Sequence, residues 1–488
     1  MDDHARFPRR SSTPPDDLLD RAFSRAAGAP RVGGNRVRLL KDAAENYPAW
    51  LTAIHSAKRT VHFESYIIYD DAAGAEFAEA FIDRARAGVA VRVLYDWIGA
   101  VGKTSPRFWR DLSRAGVEVR CVNPPRALCP LDLLHRDHRK SITVDGRVGF
   151  VSGLCVGQMW MGDPARGIEP WRDTGIEIRG PAVADIARAF GELWAMAGPS
   201  PPAPYLQGDS RDPDGDVALR IVATAPRSTR NLRLDHLVAA ASRETLWLTD
   251  PYFLGTGSYI EALRAAAQDE VDVRLLVPGA TDIPMLRPIS QAGYRPLLDA
   301  GIRIFQWRGP MLHAKTSVAD GRWGRVGSTN LNLASWVTNY ELDVLVEDVE
   351  FAGELQRMYL VDLENTTELT TRTKGAHRRV EAQAPREPSV GWNADARHGP
   401  RPSSRKASGV TAGALRLGNA MGAAIAGGRA LATAEDRIVA FTGMVLLTIA
   451  VVAVLLPRLL TIPVAIIAVW LGTALVVKAI SLHRQDTG

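Results

Sequence analysis

Two short clusters in this chain could do chemistry together. His138, Lys140 and Asp145 stand in the order His-x-Lys-x-x-x-x-Asp, and His313, Lys315 and Asp320 repeat that order. Residues two apart on a strand face the same side, so each histidine shares a face with its lysine. One such pair would carry little meaning. Two pairs, meeting in one place, would put two imidazoles and two ammonium groups around a single pocket. Two lysines repel a metal cation but suit a phosphoryl group and the charge that grows on its oxygens. The expected chemistry is covalent: one neutral imidazole attacks phosphorus and forms a phosphohistidine. The other histidine donates a proton to the departing alkoxide and later takes one from the incoming alcohol. That chemistry needs no metal and no organic cofactor.

The elements that must position these residues also come twice. VHFESYIIY, VAVRVLYDW, VEVRCV, KSITVD and TGIEIRG read as strands, and AGAEFAEAFIDRARAG reads as an amphipathic helix closed by Gly88. Strands interleaved with helices indicate an α/β layer architecture. SAKRTVHFESY is then echoed by ASRETLWLTDPYF, VAVRVLYDW by VDVRLLVPG, AGVEVRCV by AGIRIFQW, and HRKSITVDG by HAKTSVADG. Four landmarks in one order mark a duplicated domain, with a period far too long for a solenoid. The first half is expected at 34–200 and the second at 215–372. A Pro/Gly/Asp-rich link joins them, and residues 1–33, rich in Pro, Arg, Ser and Asp, read as a disordered tail.

Beyond 372 the composition changes. Residues 373–411 are rich in Arg and Pro and read as a flexible linker, followed by an Ala/Gly-rich, weakly amphipathic segment at 412–436. Two charge-free runs of 19 residues follow, Ile438 to Leu456 and Leu459 to Val477. As helix each spans about 28 Å, close to the hydrocarbon core of a bilayer. They are expected to form a two-helix transmembrane hairpin at 437–480. Arg429 and Arg437 before it, with Lys478 and Arg484 after it, place both ends on the cytoplasmic side.

Bulk properties agree without deciding. The 488 residues carry a net charge of +5, a mild basic lean that fits either nucleic acid or an acidic lipid surface. Cys121, Cys129 and Cys155 are too few for a disulfide framework and lack metal-ligand spacing, which fits a reduced compartment. The first residues contain no apolar run and do not read as a secretory signal.

On its motifs the chain resembles the phospholipase D superfamily and, within it, the bacterial cardiolipin synthases. The resemblance covers about Gly34 to Arg372. Besides both His-Lys-Asp motifs it rests on GRVGSTNLNLASWVTNYELDV, which looks like the family's Gly-Ser-x-Asn segment (Gly327, Ser328, Asn330) followed by an acidic residue, Glu341. In the first half Asp173 occupies the matching place. The fold implied is a duplicated phospholipase D-type α-β-α sandwich, two pseudo-symmetric halves sharing one active site. The resemblance further implies that Glu341 and Asp173 hydrogen-bond the catalytic histidines, with crossed pairing expected (Glu341 to His138, Asp173 to His313). It makes His138 the nucleophile and His313 the acid/base, while Asp145 and Asp320 support a strand turn. Ser328, Asn330 and Ser152 are the expected substrate-binding groups. One departure stands out: where the family has Gly-Gly-x-Asn after the first motif, this chain reads SGLC, Ser152 to Cys155. Cys155 thus replaces a phosphate-binding amide, a loss that Ser152 or Gln158 could cover. His135, without a lysine two positions on, reads as a bystander.

The leading function is transfer of a phosphatidyl group from phosphatidylglycerol to a second lipid alcohol, giving cardiolipin. The expected partners are anionic phospholipids and the expected location is the bacterial inner membrane, with the catalytic part facing the cytoplasm. Three readings stay open beside it. The same intermediate captured by water gives a phospholipase D releasing phosphatidic acid. A nuclease would require an aromatic-basic groove pattern, which does not stand out, and no nucleic-acid partner is expected. A non-catalytic membrane scaffold would tolerate loss of a histidine, and both are present.

Overall fold

Each half begins with a strand that lies at the seam between them. The structure is a computed structural model; it describes residues 15–125, 135–203, 213–283 and 286–370. The expected linker, the 412–436 segment and the transmembrane hairpin lie outside the described residues. Among the described residues no helix is long and apolar enough to cross a membrane.

Helix α1 (Pro15–Ala27) leads into the first half, which runs β1 (Val32–Lys41), α2 (Asp42–Ser56), β2 (Thr60–Ser65), α3 (Ala72–Arg86), β3 (Ala90–Asp96), α4 (Trp97–Ala100), α5 (Pro106–Arg114), β4 (Glu118–Val122), β5 (Lys140–Val144), β6 (Val148–Ser152), α6 (Gln158–Met161), β7 (Thr174–Arg179) and α7 (Val183–Met196). The second half repeats the order as β8 (Val217–Ala223), α8 (Arg230–Ala241), β9 (Thr245–Thr249), α9 (Gly257–Gln268), β10 (Asp272–Pro278), α10 (Leu286–Asp299), β11 (Arg303–Trp307), β12 (Thr316–Ala319), β13 (Trp323–Gly327), β14 (Leu342–Glu347) and α11 (Val349–Glu364), and adds an edge strand β15 (Thr366–Leu369).

The strand order is β15-β11-β10-β9-β12-β13-β14-β8-β1-β7-β6-β5-β2-β3-β4. Read outward from the β8–β1 seam, both sides list equivalent strands in the same sequence, which is the duplication expressed as topology. The two halves join through antiparallel pairing of β1 with β8, where the register slips between Val32 and Asn35. On the outer faces, α2 and α3 pack over Phe63, Phe77 and Phe81 in the first half, and α8 and α9 over Leu246, Leu248 and Leu263 in the second. Between the halves lies one shared core: Val183 and Ile186 of α7 and Phe351 and Leu355 of α11 meet inward-facing Ile176, Leu219, Val318 and Val344. Helices thus cover both faces of the strands, an α-β-α arrangement.

The turn after each histidine strand is built identically. Asp145 and Asp320 adopt positive φ, 53° and 52°. The Asp145 carboxylate accepts from the backbone N–H of Lys58, Arg59 and Thr60 at 2.8 Å each. Asp320 does the same for Arg243, Glu244 and Thr245 at 2.8 to 3.1 Å. Both carboxylates therefore tie the far end of the histidine strand to its neighbour, away from the histidine itself.

The N-terminal expectation needs correction. Residues 15–33 are not a tail: they form α1 and the start of β1. Composition concealed the period. Leu19, Ala22, Phe23, Ala26 and Ala27 recur at helical spacing, and Phe23 is buried against Trp323 with ring centroids 5.2 Å apart. The guanidinium of Arg220, buried under α1, is ion-paired with Asp20 and Glu347. Phe23→Ala should therefore destabilise the protein by about 3 kcal/mol, as expected for a buried aromatic truncated to alanine. Denaturant unfolding measures this, and a midpoint equal to that of the parent would mean that α1 does not belong to the core.

Candidate active site

The duplication brings both histidines to the seam, each at the mouth of a β-strand. His138 precedes β5, and its backbone N–H donates to the carbonyl of Tyr340 at 2.9 Å. His313 precedes β12, and its backbone N–H donates to the carbonyl of Arg172 at 2.7 Å. Each histidine is thus clamped by the other half's chain, one residue before the acid that receives its ring. Nδ1 of His138 lies 3.0 Å from Glu341 Oε2 and 3.1 Å from the Ser328 carbonyl. Nδ1 of His313 lies 2.7 Å from Asp173 Oδ2. The contacts cross between the halves. A ring whose Nδ1–H donates to a carboxylate keeps Nε2 as the free, nucleophilic nitrogen.

The carboxylates are fully buried and fully held. Glu341 Oε2 also accepts from Ser328 Oγ at 2.6 Å, and Oε1 from Asn339 Nδ2 at 3.2 Å. Asp173 Oδ2 accepts from the indole N–H of Trp160 at 3.1 Å, and Oδ1 from the Thr174 N–H at 2.9 Å. Trp160 was not anticipated from the sequence. It does for Asp173 what the Ser328 hydroxyl does for Glu341, because the first half has Gly153 at the matching position. A Cβ there would stand 2.2 Å from Asp173 Oδ1, so no side chain fits.

The lysines close the site. Lys315 Nζ sits 2.9 and 3.0 Å from the ring nitrogens of His313, and Lys140 Nζ is bonded to the His138 carbonyl and faces the Tyr66 ring at 5.3 Å. Each ammonium also acts on the other half's imidazole: Lys315 lowers the His138 pKa and Lys140 lowers that of His313. The four groups share one electrostatic neighbourhood. Burial and then Lys315 bring His313 down to about 4, against the pull of Asp173. His138 is lowered too, by burial above all, with Glu341 opposing and Lys140 assisting. Both rings are therefore neutral near pH 7. Burial works to raise the Asp173 and Glu341 carboxyls, but the imidazoles and lysines outweigh it and hold both below the usual carboxylate range. Burial lowers Lys315 to about 8, with Asp173 opposing.

A third acid lies close by. Asp250 is buried, raised by burial to about 7, and within electrostatic reach of Lys315. Its oxygens accept from the Tyr252 N–H at 2.8 Å and the Leu331 N–H at 2.7 Å, which pins the 328–332 loop to the end of β9. In that loop Asn330 is buried, with Nδ2 3.5 Å from Ser335 Oγ and no partner for Oδ1 among the described residues. Cys155 occupies the equivalent place in the first half and is a buried free thiol. The two groups expected to replace its missing amide are engaged elsewhere. Ser152 Oγ is turned to the Leu154 carbonyl at 3.4 Å, and Gln158 Nε2 donates to the Gly162 carbonyl at 2.6 Å. His135 lies nearby with Nδ1 3.1 Å from the Thr338 carbonyl.

Among the described residues no group of three or more His, Cys, Asp or Glu side chains could hold a metal ion. A cavity of about 780 Å³ lies elsewhere: Arg38, Pro48, Asp145 and Glu177 line it at the opposite end of β5, and neither His138 nor His313 takes part.

Comparison with known proteins assigns the chain to a family. A family model described as cardiolipin synthase, PLD-like domain, matches residues 50–161 and 235–361, one segment in each half. A cardiolipin synthase A of Pseudomonas aeruginosa is 33% identical over 365 residues, 74% of each chain. The chain belongs to the cardiolipin synthase family of phospholipase D-like proteins. A cardiolipin synthase of Halalkalibacterium halodurans is 31% identical over 362 residues, 72% of this chain and 71% of that one. The fold is also that of the phosphatidylserine synthase of Haemophilus influenzae, with a TM-score of 0.58 and 15% identity over 72% of this chain and 92% of that one.

The electrostatics set a pH profile. Lys315 is charged below about 8 and neutral above it, so attraction for a phosphate should fall as pH rises through 8. The kcat/KM for an anionic phosphodiester is expected to drop about tenfold per pH unit beyond that limb. Lys315→Arg, whose charge persists, should move the limb to higher pH. A limb that stays at about 8 in that variant would assign it to another group.

Proposed function

We propose that this protein transfers a phosphatidyl group from phosphatidylglycerol to the hydroxyl of a second lipid, forming cardiolipin and releasing glycerol. The observation that carries the reading is the pair of crossed imidazole–carboxylate contacts, with both ammonium groups acting on both rings. Nε2 of His138 attacks the phosphorus of the donor lipid, forming a P–N bond as the P–O bond to glycerol breaks. His313 delivers the proton that the leaving alkoxide needs. In the second half-reaction the incoming hydroxyl gives its proton to His313, its oxygen bonds phosphorus, and the P–N electron pair returns to His138. Glu341 and Asp173 keep each Nδ1 protonated and each ring aimed, and stabilise imidazolium when it forms. Lys140, Lys315 and the Ser328–Asn330 loop hold the phosphoryl oxygens.

Neutral imidazoles suit the nucleophile but not the acid. The donor's phosphate supplies the difference: its negative charge offsets the burial and the lysines that depress His313, so proton uptake accompanies lipid binding. The apolar runs Ile438–Leu456 and Leu459–Val477 support a membrane-anchored enzyme whose site works at the cytoplasmic surface of a bacterial inner membrane.

The test is incubation of the purified protein with labelled phosphatidylglycerol, followed by separation of cardiolipin, phosphatidic acid and glycerol. Cardiolipin with an equal amount of glycerol is the expected outcome, and phosphatidic acid alone would make the enzyme a hydrolase. His138→Ala and His313→Ala should each lower turnover at least about a thousandfold, the usual order for removing a nucleophile or an acid/base partner. Glu341→Gln keeps shape but not charge and should cost about a hundredfold, read in kcat rather than KM.

A further inference from the structure

An acid stands where an anion-binding site should avoid one. Asp282, on the exposed loop after β10, accepts a hydrogen bond from the Tyr252 hydroxyl at 2.6 Å. The Tyr252 ring packs edge-on against His313, centroids 6.0 Å apart. Its backbone is fixed on both sides, with its N–H on Asp250 and its carbonyl on Asn332 Nδ2 at 3.1 Å. The charge of Asp282 also reaches Tyr66 and Tyr69 of the other half. Tyr66 in turn packs edge-on against His138, centroids 5.2 Å apart. This carboxylate therefore acts on tyrosines that flank both histidines, and among the described residues no lysine or arginine pairs with it. For a site that draws in phosphate, a carboxylate bonded to Tyr252 is a cost. It opposes the very ligand that Lys140 and Lys315 attract.

What such a group does well is accept hydrogen bonds from hydroxyls. We propose that Asp282 and Tyr252 form a subsite for the incoming alcohol, one that recognises a polyol with adjacent hydroxyl groups. The proposal rests on the phosphatidyl-transfer reading and names its acceptor. The terminal hydroxyl of a glycerol head group faces phosphorus and loses its proton to His313 as the P–N bond to His138 breaks. The neighbouring hydroxyl donates to the Asp282 carboxylate. The same charge repels the acceptor's own phosphate, so the hydroxyl end of that head group enters rather than the phosphodiester end. Water and simple alcohols have no second hydroxyl and gain nothing from the contact, so the subsite favours transfer to a polyol over hydrolysis.

A competition between two soluble acceptors tests this in the full-length protein. Labelled phosphatidylglycerol is supplied with ethylene glycol and ethanol at equal concentration, and the two phosphatidyl alcohols are separated. The parent enzyme should favour ethylene glycol by about tenfold, the order expected for one hydrogen bond to a charged group. Asp282→Ala should bring the ratio, counted per hydroxyl, near one, Asp282→Asn should leave it between the two, and Tyr252→Phe should lower it in the same direction. A ratio within one experiment does not depend on how much of a variant is folded. Equal ratios in the parent and in Asp282→Ala would overturn the subsite while leaving transfer intact. Absence of cardiolipin and of both phosphatidyl alcohols from the parent would instead overturn the transfer reading, and the subsite with it.

Discussion

Everything in the site depends on two buried hydrogen bonds that cross between the halves, His138 to Glu341 and His313 to Asp173. Neither half can supply its own. Each carboxylate precedes a strand of one half and each imidazole a strand of the other, and backbone bonds from Tyr340 and Arg172 hold the two together. A buried carboxylate without its partner would be an unpaired charge in a dry interior, worth several kcal/mol. The shared core around α7 and α11 is thus more than a packing interface. Loosening it would open both dyads at once, so folding of the two halves and assembly of the site are one event.

Charge balance follows from the same arrangement. Two carboxylates and two ammonium groups nearly cancel, and the imidazoles between them stay neutral because burial and the lysines outweigh the single acid each ring touches. Such a site is poised rather than charged. On the proposed reading, a phosphate entering it would upset the balance toward negative and make one imidazole basic enough to take a proton. Arg139 shows how tightly this balance is insulated. Its guanidinium is buried beside the site, yet it donates to the carbonyls of Glu341, Ala189 and Thr224 and is satisfied by backbone alone. A third cation is thereby kept in the structure without facing the phosphate.

Much of this was legible in the amino-acid order, and the unread part has physical causes. His138, Lys140, His313 and Lys315 were visible because period-two spacing and internal repetition are properties of the chain itself. Strands β2 to β5 and helix α3 fell where alternation and a closing glycine placed them. Helix α1 was missed because Pro, Arg, Ser and Asp dominate residues 1–33 as a whole, and the apolar face of the helix gains meaning only against Trp323 and Leu234 of distant segments. Trp160 and Asp250 were missed for a related reason. Each acts through hydrogen bonds fixed by tertiary position, and no local pattern announces an indole that replaces a hydroxyl.

The copies have also drifted apart, and the drift has a direction. In the second half the loop from Ser328 to Asn330 keeps a hydroxyl and an amide beside the pocket. In the first half Gly153 has no side chain, Cys155 brings a weak thiol, and Ser152 and Gln158 are turned to backbone carbonyls. Aromatic rings gather there instead: Trp160 and Trp171 lie 5.7 and 5.8 Å from His313, and Tyr66 flanks His138. A phosphoryl group has only so many oxygens, and two full sets of donors around one phosphorus would be redundant. On the proposed reading the second half would hold those oxygens, and the first would present mainly aromatic rings to the site. Such a lining suits a phosphohistidine that must outlast the arrival of water and wait for an alcohol. Divergence after duplication has therefore acted on what surrounds the histidines, while the crossed contacts themselves, which cannot be altered singly, have stayed equivalent.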